Sequence, residues 1–471
     1  MKKIKLLKLS KIFVISFISL TFFSIFLPDE FVIGIHRLTY EHNEFQMIIR
    51  WFNYVSFLVL PIAVFYDKPI FKKIAIYFCL PVAIINIFLY KEFIYYYTSP
   101  LGTGISDIRY LPEIIKNLMY NELFRTIIFF ITSLFQISTI VLLINRDKKI
   151  FIFKKNEIIP FIILTLLLTL LILPPYALEG IFHTYSNIVF TGFSLPHIIW
   201  IISIILEIAI LTLMFKNKPF EDRYIVVLLL AMALLVQYNQ LFSSLGELTC
   251  KRMPFQLCNI AAYLILLTLL TKSRGLFLFN ILVNVAGGII ALLVMDVEKN
   301  GILNKANIHY IVEHHNVIVA PLLCLTLGIF SPIKNKDFKK FVIYFSSYYI
   351  FVFVLGTTFN AIYKATGSNY FYANYLFLFD QETAANLLPF AGKLFDIKLL
   401  IGSVTIYPVV QPLIYISFFI IGTIAFFILK MAVREKQKHW FGFNHFSVLF
   451  FYFYNIISYK LYNCLRSTTN T

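Results

Sequence analysis

The sequence predicts an all-α, polytopic membrane helix bundle of about twelve transmembrane helices with both termini cytoplasmic. Three observations predict it. Hydrophobic residues make up 59% of the 471-residue chain and charged residues only 14%, with a mean hydropathy of +0.80; soluble domains carry roughly 45–50% and about 25%. Apolar runs recur between charged breaks at spanning length, which is roughly 20 residues for a bilayer core of about 30 Å. Lys and Arg collect in alternate connections, as the positive-inside rule requires. A water-soluble enzyme and a disordered chain are excluded. So is a nucleic-acid binder, because the net charge of +17 punctuates apolar runs and lines no polar face.

In chain order the runs lie near 11–27, 46–66, 74–96, 126–145, 158–175, 197–215, 224–243, 256–271, 276–295, 311–330, 341–360 and 405–430. The first follows a basic segment, Met1–Lys11, as a signal peptide does. No small-x-small cleavage site precedes Pro28, so it reads as an uncleaved span. The aromatic segment Phe446–Ile457 is a thirteenth, interfacial candidate. With the N-terminus inside, most of the 41 Lys and Arg residues fall on inner segments, and the long polar connections near 97–122 and 361–400 fall outside.

Six spans return the chain to the inside near Lys216–Arg223. This divides it into an N-terminal six-helix unit (1–222), a second six-helix unit (223–435) and a basic, aromatic cytoplasmic tail (436–471). The second unit can repeat the first without inversion, an architecture known in membranes. The short basic links Tyr66-Asp67-Lys68-Pro69 and Thr271-Lys272-Ser273-Arg274-Gly275 would then be counterparts. Hydropathy alone, however, makes any two six-helix blocks look alike. Five cysteines at irregular spacing (Cys79, Cys250, Cys258, Cys324, Cys464) form neither a disulfide framework nor a zinc motif, and no metal or cofactor is expected.

Charge within a span is costly, so polar clusters there are functional candidates. One cluster gathers at the outer ends of the second-unit spans: Gln237-Tyr238-Asn239-Gln240 and Glu247, then Lys251 to Asn259, Asp296, His309 to Asn316, and Thr366 to Tyr370. Within it Cys258 and His314 lie at matching depth. A thiol beside an imidazole is a nucleophile pair for acyl transfer, with His315 as a second candidate base. Arg252 or Lys251 can hold a phosphate or carboxylate; Asn259 or Asn369 can steady an oxyanion; Gln256 completes the candidate binding set. Glu313 shares no face with His314 but lies one turn from His309. Structural readings stand beside these: a membrane cysteine as apolar filler, a His pair as an interfacial anchor, and Gly287-Gly288 as helix packing. Glu207, the deepest carboxylate, is either a proton or cation site or a paired residue. His183 and His197 have no evident partners.

The run from Arg252 to Ala261, with Gln256-Leu257-Cys258 at its centre, resembles the Leu-Pro-Leu-His-Leu-Cys signature of YwaF-type bacterial integral membrane proteins, a group related to eukaryotic transmembrane protein 164. Gly287-Gly288, His309-Tyr310 with His314, and Gly367-Ser368-Asn369-Tyr370 follow in the family's order, so the resemblance covers about residues 224–380. It implies a six- or seven-helix bundle. The eukaryotic relative is a cysteine-dependent acyltransferase acting on ether phospholipids, which implies Cys258 as acyl-accepting nucleophile and His314 as its base. One departure stands out: the family's usual His two residues before the Cys is Gln256 here, so His314 or His315 would have to compensate.

The expected function is therefore a cysteine-dependent acyltransferase acting on membrane lipids near the outer leaflet of the cell membrane, with lipids as partners and an acyl lipid or small molecule as substrate. The alternative is a secondary transporter or a lipid or solute carrier built from two parallel six-helix halves. A non-catalytic scaffold is a weaker third. The sequence does not give the oligomeric state.

Overall fold

A backbone in lipid must satisfy its own hydrogen bonds, and an uninterrupted apolar run does so as a helix. The computed structural model describes residues 2–25, 44–90, 121–174, 190–244, 250–293, 305–379, 381 and 391–438. Within them every expected apolar run coincides with a helix: α1 (Lys2–Ile25), α2 (Glu44–Phe65), α3 (Pro69–Phe88), α4 (Glu122–Arg146), α5 (Lys155–Leu171), α6 (Leu195–Phe215), α7 (Phe220–Ser244), α8 (Leu257–Thr271), α9 (Arg274–Leu293), α10 (Lys305–Thr326), α11 (Asp337–Thr366) and α12 (Val410–Lys438). Eight of these are long and apolar enough to cross a membrane, and α8 is a shorter apolar helix. The fold is an all-α polytopic bundle. It carries one small addition, an antiparallel ribbon of β1 (Leu399–Ile401) and β2 (Val404–Ile406) packed beside α11. The segment Phe446–Ile457, His183, Glu247, Asp296 and the side chain of Arg252 lie outside the described residues.

Local chemistry sets the helix ends. The Asn121 side chain accepts from the Phe124 N–H at 2.8 Å to start α4. Ser273 does the same for α9 through the Leu276 N–H. Gly367, at φ 69°, ends α11 in the left-handed conformation that glycine tolerates. Helices α3 and α9 each widen into one π turn, Ala75–Cys79 and Asn280–Asn284.

Two groups of helices form the bundle. Helices α1 to α5 pack among themselves, and α10 is the centre of the second group, touching α6, α7, α8 and α9. Helix α7 joins the groups, since it also packs on α1 and α2. Its residues Val227 to Val236 are all buried, so this stretch of α7 faces the two groups and not lipid. Gly288 marks the crossing of α9 and α10. A Cβ there would meet Ile318 Cγ1 at 2.9 Å, so Gly288 serves helix packing.

The turns α2–α3, α4–α5 and α6–α7, together with α8–α9 and α10–α11, collect at one end, which is basic and cross-linked by ion pairs. Lys68 reaches Asp222 at 2.7 Å and Glu221 at 2.8 Å. Asp67 binds Lys72 at 2.7 Å and also Arg146. Lys73 meets Glu157 at 2.5 Å, and Arg274 meets Asp337 at 2.6 Å. The Arg223 guanidinium donates to the Leu327 carbonyl. The candidate site lies at the opposite end, where α8 and α10 begin.

The Lys68 clasp joins the two helix groups and can be tested. Hydrogen bonds to Asp222 and then Glu221 raise the Lys68 pKa above the ordinary 10.5. A lysine raised in the folded state contributes stability while protonated, and loses it as pH rises through the raised value. Lys68→Met is expected to lower stability in detergent by about 1 kcal/mol at neutral pH. The difference from wild type should begin to shrink near pH 10.5 and vanish once pH exceeds the raised value; thermal unfolding followed across pH checks both.

Candidate functional site

Helix α10 supplies most of the site. Its polar residues fall at successive positions, and the rotation of about 100° per residue sends each to a different neighbour. His309 Nε2 meets Glu313 Oε2 one turn later, at 3.2 Å. His314 Nδ1 lies 2.7 Å from the Tyr310 carbonyl. A carbonyl only accepts, so Nδ1 carries the proton and Nε2 keeps its lone pair. His315 turns to the other side, where its Nε2 reaches Glu207 Oε2 on α6 at 2.6 Å. Of the two readings open for Glu207, the structure gives the paired one. Further along, Thr326 and Thr212 join the same two helices at 2.8 Å.

Cys258 is the second residue of α8 and is half-buried. It lies within electrostatic reach of Glu313, and so does His314. The carboxylate is therefore the common neighbour of thiol and imidazole. No hydrogen bond joins Cys258 to His314 among the described residues. Glu313 is 5% exposed, and its Oε1 is buried with no hydrogen-bond partner among the described residues. Around this cluster stand Tyr238 of α7, its ring 5.7 Å from His309 and 6.0 Å from Tyr263, and Tyr348 of α11, within electrostatic reach of Cys258.

The segment before α8 is anchored to the segment after α11. Gln256 Nε2 donates to the Asn374 carbonyl at 2.7 Å, and its Oε1 accepts from the Leu376 N–H at 2.9 Å. Both ends of this amide are thus used within the chain. Tyr348 donates to the Phe255 carbonyl at 2.7 Å, and Tyr375 donates to the Cys250 carbonyl. Burial pushes the Cys250 thiol up to about 11. Asn259 is half-buried on α8. Asn369 is exposed and opens the turn Asn369–Phe371, while Lys251 Nζ sits 5.8 Å above the Tyr372 ring.

Other polar residues are spoken for. His197 Nδ1 accepts from the Phe193 N–H at 2.8 Å, and Nε2 donates to the Leu292 carbonyl at 2.9 Å, so it has the partners the sequence did not reveal. Among the described residues, no group of three or more His, Cys, Asp or Glu is placed to hold a metal ion.

Residues 192–423, the stretch from just before α6 into α12, match the model of the TMEM164 family. No curated protein and no solved structure matches the chain.

The Gln256 anchor is testable. Gln256→Leu removes two hydrogen bonds and leaves a buried N–H unpaired, which costs about 1–3 kcal/mol. A lower unfolding temperature is expected, with faster amide exchange in residues 374–376; exchange mass spectrometry checks the local effect. Unchanged exchange there would contradict the anchoring role.

Proposed function

We propose, taking the family match of the C-terminal part as premise, that this membrane protein is a cysteine-dependent acyltransferase that moves an acyl chain between membrane lipids. The observation that carries the reading is the placement of Cys258, half-buried in the first turn of α8, on the helix that packs against α10 with its His309–Glu313 pair and His314. The resemblance of the Cys258 segment to the YwaF-type signature supports it.

The chemistry runs in two halves. His314 Nε2 takes the Cys258 proton as sulfur attacks the acyl carbonyl of a donor lipid. The ester C–O bond breaks, the proton passes to the departing oxygen, and a lysolipid leaves behind an acyl–Cys258 thioester. In the second half the hydroxyl of an acceptor lipid binds at Glu313 Oε1, gives up its proton there, and attacks the thioester. The Cys258 thiolate departs and recovers the proton. Glu313 is thereby the acceptor-binding group and its general base. Asn259 and Asn369 are the oxyanion donors in this scheme, and Arg252 the phosphate contact. Gln256 holds the segment around the site, and His315 steadies α10 through Glu207. The basic end is assigned to the cytoplasm by the positive-inside rule, which sets the site towards the outer leaflet of the cell membrane.

The transporter alternative has less support, because Glu207, the carboxylate it would use, is held by His315. The test is acyl transfer between phospholipid and lysophospholipid in proteoliposomes. Cys258→Ala should abolish transfer in a folded protein. Glu313→Gln should accumulate the thioester and slow transfer to a hydroxyl by about 100-fold, the low end of general-base effects. Discharge of the thioester to hydroxylamine, which needs no base, should stay near the wild-type rate. Full transfer by Cys258→Ala would overturn the reading.

A further inference from the structure

The two helix groups repeat one another in detail. Helix α3 consists of 6 residues of α-helix (Pro69–Ile74), 5 of π-helix (Ala75–Cys79) and 9 of α-helix (Leu80–Phe88). Helix α9 opens in the same way, with 6 residues of α-helix (Arg274–Phe279) and 5 of π-helix (Asn280–Asn284) before α-helix resumes at Val285. Two residues before each helix stands a left-handed residue that is not glycine, Asp67 at φ 56° and Lys272 at φ 52°. The capping residues that follow have nearly the same backbone, Lys68 at φ −72°, ψ 120° and Ser273 at φ −71°, ψ 116°. π turns are rare, and a left-handed aspartate or lysine is uncommon. Their recurrence at the same spacing is not a product of hydropathy.

The repeat extends to the next two helices of each group. Glu157, at the start of α5, accepts from the Lys154 N–H at 2.9 Å and binds Lys73 of α3. Asp337, at the start of α11, accepts from the Lys334 N–H at 2.9 Å and binds Arg274 of α9. The cations come from positions one turn apart, Lys73 in the fifth place of α3 and Arg274 in the first place of α9, yet each also donates to a carbonyl of the preceding loop, Ile152 or Ser331. Helix α4 ends with Asp147 N–H bonded to Leu143 O, and α10 with Leu327 N–H bonded to Leu323 O. The two links face the same way. Tyr224 near the start of α7 packs against Tyr66 at 6.1 Å and donates to the Leu269 carbonyl at 2.8 Å, so both links lie at the basic end.

Counting from these shared marks pairs Cys258 with Asn53, Ala261 with Ser56, Glu313 with Ser133, His314 with Leu134 and Asn316 with Gln136. In the first group the amide of Gln136 closes the position, donating to Asn53 Oδ1 at 2.8 Å and to Ser56 Oγ at 2.7 Å. Leu134 is 61% exposed, whereas His314 is 7% exposed, because α6 packs on α10. We infer that α1–α5 are a same-direction copy of α7–α11 in which the reaction position is sealed by an Asn53–Ser56–Gln136 network, so that the first half is a non-catalytic docking partner that covers α7.

The functional part rests on the acyltransfer reading, and the test separates the two. Asn53→Ala and Gln136→Leu are made in the full chain and compared with Cys258→Ala. The expected result is acyl transfer by both N-terminal variants within about tenfold of wild type, the change equivalent to about 1.4 kcal/mol, with lowered unfolding temperatures. A loss of transfer beyond that in a variant that still elutes and melts as folded protein would overturn the silent role. An experimental density map should show π turns at both Ala75–Cys79 and Asn280–Asn284; a regular α-helix at either would overturn the duplication. Undiminished transfer by Cys258→Ala would remove the enzymatic reading and leave the duplication standing.

Discussion

The rest of the molecule is arranged around one constraint: the polar residues of α10 lie inside a membrane bundle, where lipid offers no hydrogen-bond partner. Each must be met by a neighbouring helix or by α10 itself. His315 draws in Glu207 of α6, Tyr310 donates to the Ala291 carbonyl of α9, and His309 turns back onto Glu313. Glycine at 288 lets α9 approach closely enough for the second of these. Helices α7 and α8 complete the enclosure. Among the described residues, Glu313 Oε1 is one of the buried oxygens that the enclosure leaves without a hydrogen-bond partner, and it stands beside a half-buried thiol.

The opposite end follows a different logic. It is wet enough for charge, and its ion pairs hold turns together. Lys68, Asp67, Arg146, Asp222 and Glu221 tie the first helix group to the start of α7, while Arg274 and Asp337 hold α9 to α11. A buried α7 between two groups, pinned at one end by charge, gives the site a rigid backing.

Much of this was legible in the sequence. Apolar runs became helices because lipid permits little else, and the basic connections came together because they share a side. Glu313 was placed one turn from His309 by spacing alone. The sequence hid what depends on distant pairing. Nothing in the residues around Glu207 names His315, and nothing near Gln256 names Asn374 and Leu376. The π turns leave no shared pattern, since Ala75–Cys79 is apolar throughout while Asn280–Asn284 begins and ends on hydrogen-bonded asparagines. Depth counted from helix starts was also an unsafe guide. Helix α10 begins at Lys305, ahead of its apolar run, so His314 lies further inside it than Cys258 does in α8.

The central claim is that Cys258, alone among the described cysteines, is partly exposed and stands on the helix that packs against the polar stretch of α10. Cys79, Cys250 and Cys324 are buried and Cys258 is half-buried. The most direct measurement is modification of the solubilised full chain by an acyl-mimicking, thiol-directed electrophile, with the adduct mapped by mass spectrometry. The account predicts an adduct on Cys258, lost on competition with phospholipid and slowed by His314→Ala. An adduct confined to other cysteines, or one on Cys258 indifferent to both lipid and His314, would contradict it.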